Sequence, residues 1–196
     1  MVSFFLALCL GVGLAAACGL RVFLPLLALS LASKAGLVDV GSGFAWLGSW
    51  TAIACFSLAA LTETLAYYIP WLDHALDTIA TPAAAIAGTL VAATQLGLDA
   101  HAVDPMLKWS ASLIAGGGAA TAVQSTTVLA RAVSTASTAG LGNSIVATVE
   151  NVGAIVLSIL SLVVPLLVGV LLLALVFALL HRVITRRRAA LAPAIA

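Results

Sequence analysis

The chain has 196 residues, of which 63% are hydrophobic and only 8% charged, with a formal net charge of +1. A soluble domain carries about 25% charged residues, so this composition and a mean hydropathy of +1.23 exclude one. The net charge of +1 says nothing about nucleic acid, and no nucleic-acid partner is expected. The apolar runs are continuous rather than alternating, which excludes a β-barrel and predicts an all-α, polytopic transmembrane helical bundle.

In chain order, the first apolar run covers Phe4–Ala32. As one helix it would be roughly 43 Å long, against a bilayer core of about 30 Å. Gly11, Gly13, Gly19 and Pro25 predict a bend or break within it. Ala15-Ala16-Ala17-Cys18 is reminiscent of a lipoprotein cleavage site, but no basic segment precedes it and the apolar run continues. An uncleaved first span is therefore expected. Ser33–Phe44 has the turn chemistry of a loop. Span 2 is predicted over Trp46–Ile69, with Trp46 and Trp50 at one interface and Tyr67, Tyr68 and Trp71 at the other.

Span 3 is predicted to open at Pro82, with Thr81 as its cap, and to run to Leu98. Asp99–Pro105 then reads as a wet loop containing His101 and Asp104. Span 4, Met106–Ala132, carries Gly116-Gly117-Gly118, Gln124 and many hydroxyls, which suit close packing or local unwinding. Ser134–Ser144 reads as a small-residue loop. Ile145–Leu180 is too long for one crossing, and Pro165 divides it, giving about six spans in all. The basic tail, with Arg182, Arg186, Arg187 and Arg188, is predicted to be cytoplasmic. An even span count places the N-terminus, and with it Tyr67–Pro82, on the same side.

Ala32–Leu37 (ASKAGL) and Ala136–Leu141 (ASTAGL) share a pattern. Each follows a span with an arginine, Arg21 or Arg131. Each precedes a span with one acid, Glu63 or Glu150, and then a proline, Pro82 or Pro165. This order predicts a 3+3 inverted-topology repeat, with half-repeats 1–98 and 106–182 inside a single membrane domain, 1–196, whose tail is 183–196.

Glu63, Glu150, Arg21 and Arg131 are the informative residues, because a charge at a helix centre costs about 2.5–3.5 kcal/mol on insertion scales. Two readings follow. The charges line a path, with Gln124 and Asn151, that relays protons or binds an anionic solute or lipid headgroup. Alternatively, each acid pairs with an arginine as a buried clamp. Both predict proximity. Tyr67, Asp73, His74 and Asp77 form a second cluster, read as proton access beside Glu63 or as a solvated interfacial turn. Asp73 and Asp77 share a helix face if the segment is helical. Cys9, Cys18 and Cys55 lack metal-ligand spacing and read as packing residues. No hydrolase, metalloprotease, haem or phosphate-loop motif is present, so no enzyme activity, metal or cofactor is expected.

The runs Ala17–Leu27 (ACGLRVFLPLL), Glu63–Pro82 (ETLAYYIPWLDHALDTIATP), Gln124–Thr127 (QSTT) and Ser134–Asn143 (STASTAGLGN) resemble the bacterial membrane family catalogued as domain of unknown function 4126. The resemblance implies a small multi-pass inner-membrane protein and supplies no activity or site residues. From the residues themselves, the leading expectation is a small secondary transporter or channel-like permease. A non-transporting scaffold or assembly factor is the alternative. Lipid is the expected environment, and a site between protomers of a homo-oligomer stays open.

Overall fold

The computed structural model describes residues 2–96 and 104–165, then 167, 168, 170, 171, 174, 177, 178, 181 and 182. The described residues are helical throughout apart from short connections. The break expected in the first apolar run lies at Gly19–Val22, between α1 (Val2–Cys18) and α2 (Phe23–Lys34). Neither half is long enough to cross a bilayer, which takes about 20 residues. Their packing partners show that the chain turns back there. Gly11 lies against Ala92 and Gln95, Gly13 against Ser161, and Gly19 against Ala120 and Val123. The far end of α2 then returns to the starting level: Lys34 sits over the Trp50 ring at 5.2 Å, and the Gly41 N–H donates to the Thr94 carbonyl at 3.2 Å. Thus α1 and α2 form a helical hairpin that enters and leaves at one end of the bundle, with its tip at Gly19–Val22.

Helix α2 stops by local chemistry. The N–H of Leu37 donates to the Ala32 carbonyl, and that of Gly36 donates to Ser33. Gly36 has φ of +68°, a Schellman ending that a Cβ would disfavour. A 3-10 turn, Ser42–Gly48, leads through the Ser49 cap into α3 (Trp50–Ala66), at an angle of 65°. After a short turn, α4 (Pro70–Leu96) runs back, with Pro82 inside it rather than at its start. Asp104 caps α5 (Pro105–Ala111), accepting from the N–H groups of Met106 and Leu107. A π-helical stretch, Ser112–Gly117, joins it to α6 (Gly118–Thr138). The predicted unwinding in span 4 is thus one wide turn in a helix that continues through it. That turn brings Gly116 against Gly88 and Ala92 of α4 at backbone contact, while Gly118 faces open space. Finally, α7 (Asn143–Val163) ends at Val164, whose backbone leaves the helical region just before Pro165, the predicted division.

Among the described residues, three helices are long and apolar enough to cross a membrane: Leu76–Leu96, Pro105–Thr138 and Asn143–Val163. The bent pair Ser42–Gly48 and Trp50–Ala66 makes a fourth if counted as one span. The expectation of six spans, and the 3+3 arrangement built on it, is therefore corrected. The first apolar run is a hairpin because its charged residue, Arg21, sits at a break that other helices cover. The hairpin also separates Tyr67–Pro82 from the N-terminus, which the six-span arrangement put on one side. The N-terminal end of α1 and the α3–α4 turn lie at opposite ends of the bundle, because α3 is the first helix after the hairpin to traverse it. The core follows from this packing: Leu14, Cys18, Leu26 and Leu29 of the hairpin meet Ala84, Ala87 and Val91 of α4.

Candidate functional site

The charged residues converge on the hairpin tip. Four consecutive N–H groups at a helix start need partners, and α2 has no side-chain cap of its own. Glu63, near the end of α3, supplies one from a distance. Its Oε1 accepts from the Val22 N–H at 2.8 Å and its Oε2 from the Phe23 N–H at 3.0 Å. A carboxylate is favoured there by the helix dipole as well as by the hydrogen bonds.

Arg21, just before this point, is almost fully buried, at 2% exposure. Its Nη1 lies 2.8 Å from Glu150 Oε2 of α7. Its Nε donates to Asn151 Oδ1 at 2.5 Å and its Nη2 to the Ala147 carbonyl at 3.2 Å, while Nη1 also reaches the Leu20 carbonyl at 3.3 Å. Every guanidinium nitrogen is thereby engaged.

Arg131 of α6 approaches the same carboxylate from the other side of the interface. Its Nε donates to Glu150 Oε1 at 3.1 Å and its Nη2 to Oε2, a bidentate fork. Its Nη1 donates to Asp77 Oδ1 of α4 at 3.0 Å. Tyr67 completes the cluster. Each guanidinium carbon, of Arg21 and of Arg131, stands 4.0 Å from the centre of its ring, where the ring quadrupole attracts cations. Glu150, Arg131 and Arg21 are all less than a tenth exposed. One carboxylate therefore ties the hairpin tip, α6 and α7 together, and Asp77 adds α4.

The structure brings Glu63, Glu150, Arg21, Arg131 and Asn151 together, and Asp77 and Tyr67 join them. The expected separation into a central path and an interfacial cluster is thus only partly kept. Asp77 belongs to the charged centre rather than to a wet turn, because α4 begins well before Pro82 and carries it inward. Tyr67 is buried among guanidiniums, while Tyr68 is exposed and exchanges a 2.9 Å hydrogen bond with Thr148. Gln124 shares the buried face of α6 with Thr127 and Arg131 but lies two turns away from the charges. The side chains of Asp73 and His74, and the segment around Asp99 and His101, lie outside the described residues.

Glu63 and Glu150, matched in the sequence pattern, play different parts: one caps a helix, and the other bridges two arginines. The hairpin itself left one signal in the sequence. A run too long for one crossing, too short for two, and carrying glycine beside arginine at its middle fits a half-crossing turn.

A hairpin that goes partway through an apolar bundle, with a buried and internally paired set of charges at its tip, defines a multi-pass membrane protein with a discontinuous first helix. Its helices lie in lipid. The chain matches the family model described as a domain of unknown function, DUF4126, over residues 8–185, and it belongs to that family. No curated protein and no solved structure matches it.

Proposed function

We propose that this protein is a non-transporting membrane scaffold or assembly factor, in which the charged cluster is a clamp that holds the hairpin among α3, α4, α6 and α7. It catalyses no reaction in this reading. The observation that carries it is the Glu150 carboxylate, which takes both Arg21 and Arg131 while Asp77 takes the remaining edge of Arg131. Arginines already committed to internal carboxylates, carbonyls and Asn151 offer little to an incoming anion. Releasing them would strand buried charge at several kcal/mol. In this reading the protein sits in the bacterial inner membrane with Lys34 and Lys108, which both lie at the hairpin's entrance end, toward the cytoplasm. The N-terminus is then cytoplasmic as well.

The competing permease reading uses the same residues, with Glu63 and Glu150 as titrating groups and the arginines as anion partners. Reconstitution separates the two. Proteoliposomes carrying an internal pH dye and challenged with proton gradients and small organic or inorganic anions should show no flux above empty vesicles. The Glu150→Gln variant should instead lose thermal stability. A saturable flux that disappears in a Glu150→Gln protein of unchanged stability would sink the scaffold reading.

A further inference from the structure

A cavity of about 230 Å³ lies beside the hairpin tip, between α3 and α4. Val22, Phe23, Ala59, Ile79 and Ala83 are among the residues of its wall, and Glu63 is the charged residue on it. Thr62 and Ile79, also lining it, are exposed on the outer surface of the bundle, so the cavity opens sideways, toward lipid rather than along the bundle axis.

The charge arithmetic of the cluster makes this wall distinctive. Arg21 and Arg131 are matched in direct ion pairs by Glu150 and Asp77. Glu63 is a third carboxylate, held by the N–H groups of Val22 and Phe23, and among the described residues no cation lies within ion-pairing distance of it. An ionised carboxylate offers about four acceptor positions, of which backbone donors take one on each oxygen. Glu63 therefore presents unspent negative charge to an apolar, laterally open cavity.

We propose that this cavity is a membrane-accessible binding site for a lipophilic monocation: an apolar body of roughly one aromatic ring bearing a single ammonium group. The ring fills the space among Phe23, Ala59, Ile79 and Ala83, and the ammonium pairs with Glu63. The size fits, since a dry apolar cavity of about 150 Å³ already takes benzene. An anion is repelled by Glu63. A strongly hydrated metal ion finds one carboxylate where it needs several oxygen ligands. The site does not depend on the clamp reading, because Glu63 stands outside the ion pairs of the clamp.

The test uses the whole purified chain in detergent, with benzyltrimethylammonium as the probe and neopentylbenzene as its neutral isostere. Binding is read by calorimetry and by the rise in melting temperature that a native-state ligand produces. The cation should bind saturably and at least about tenfold more tightly than the isostere, a difference of about 1.4 kcal/mol. Glu63→Gln should remove that preference. Ala83→Phe, which fills the cavity and leaves Glu63 in place, should abolish binding at little cost in stability, and it decides the matter if Glu63→Gln does not fold. Equal binding of the two probes makes the cavity a niche for an acyl chain and overturns the proposal. So does the absence of saturable binding, or an Ala83→Phe protein that binds the cation like the wild type.

Discussion

Replacing Glu150 with glutamine keeps the size of the side chain and removes the one charge that serves two guanidiniums. Arg131 retains Asp77 at 3.0 Å. Arg21 is left with neutral acceptors only: Asn151, and the carbonyls of Ala147 and Leu20. A cation with 1% side-chain exposure is thus stranded in the core. Removing one partner of a buried pair costs about 3–5 kcal/mol, and for a chain of this length each kcal/mol lowers the melting temperature by roughly 2–4 °C. A fall of roughly 6–20 °C is expected, read by tryptophan fluorescence during heating of the purified protein in detergent. Adding Arg21→Met to the Glu150→Gln background should recover part of the loss, because the stranded cation is gone. If Glu150→Gln costs less than about 1 kcal/mol, the range of solvent-exposed pairs, the cluster is hydrated and the clamp argument is wrong.

Glu63→Ala removes a cap contributed from another helix. The amides of Val22 and Phe23 should lose hydrogen-exchange protection by roughly ten- to thirtyfold, as expected for about 1.5–2 kcal/mol of capping, and unchanged protection would mean that these N–H groups have other acceptors. The π turn predicts a contrast between neighbouring glycines. Gly116→Ala must push against the backbone of α4 and should destabilise by about 1–3 kcal/mol. Gly118→Ala meets nothing within 4 Å and should be neutral or stabilising by up to about 1 kcal/mol; equal effects at the two positions would refute the helix contact. For sidedness, cysteines introduced at Val2 and Lys34, which flank the hairpin, in a cysteine-free background should react with an impermeant maleimide from the same face of the membrane. Labelling of the two from opposite faces would mean that the first apolar run crosses after all.

Composition alone determined that this is a helical membrane protein, because so few charges cannot solvate a surface. Local chemistry determined several boundaries. Gly36 in ASKAGL ends α2, Asp104 starts α5, and Pro165 follows the end of α7, since each acts on backbone groups within a turn of itself. The cost of buried charge also singled out Arg21, Arg131, Glu63 and Glu150 before any fold was known. What those four residues do was decided only by tertiary structure. The α1–α2 break is a turn rather than a kink, because Gly19 lies against Ala120 of α6 while Glu63, far along the chain, satisfies the first N–H groups of α2. Asp77 and Tyr67 entered the cluster because α4 starts at Pro70 and runs through Pro82, where local propensity alone reads a boundary. A repeated hexapeptide suggested two equivalent halves, yet it encodes helix endings, which any chain uses more than once. Hydropathy reports which segments avoid water. It carries no information about whether such a segment crosses the membrane or turns back, because that depends on which distant residues are there to meet its unpaired backbone.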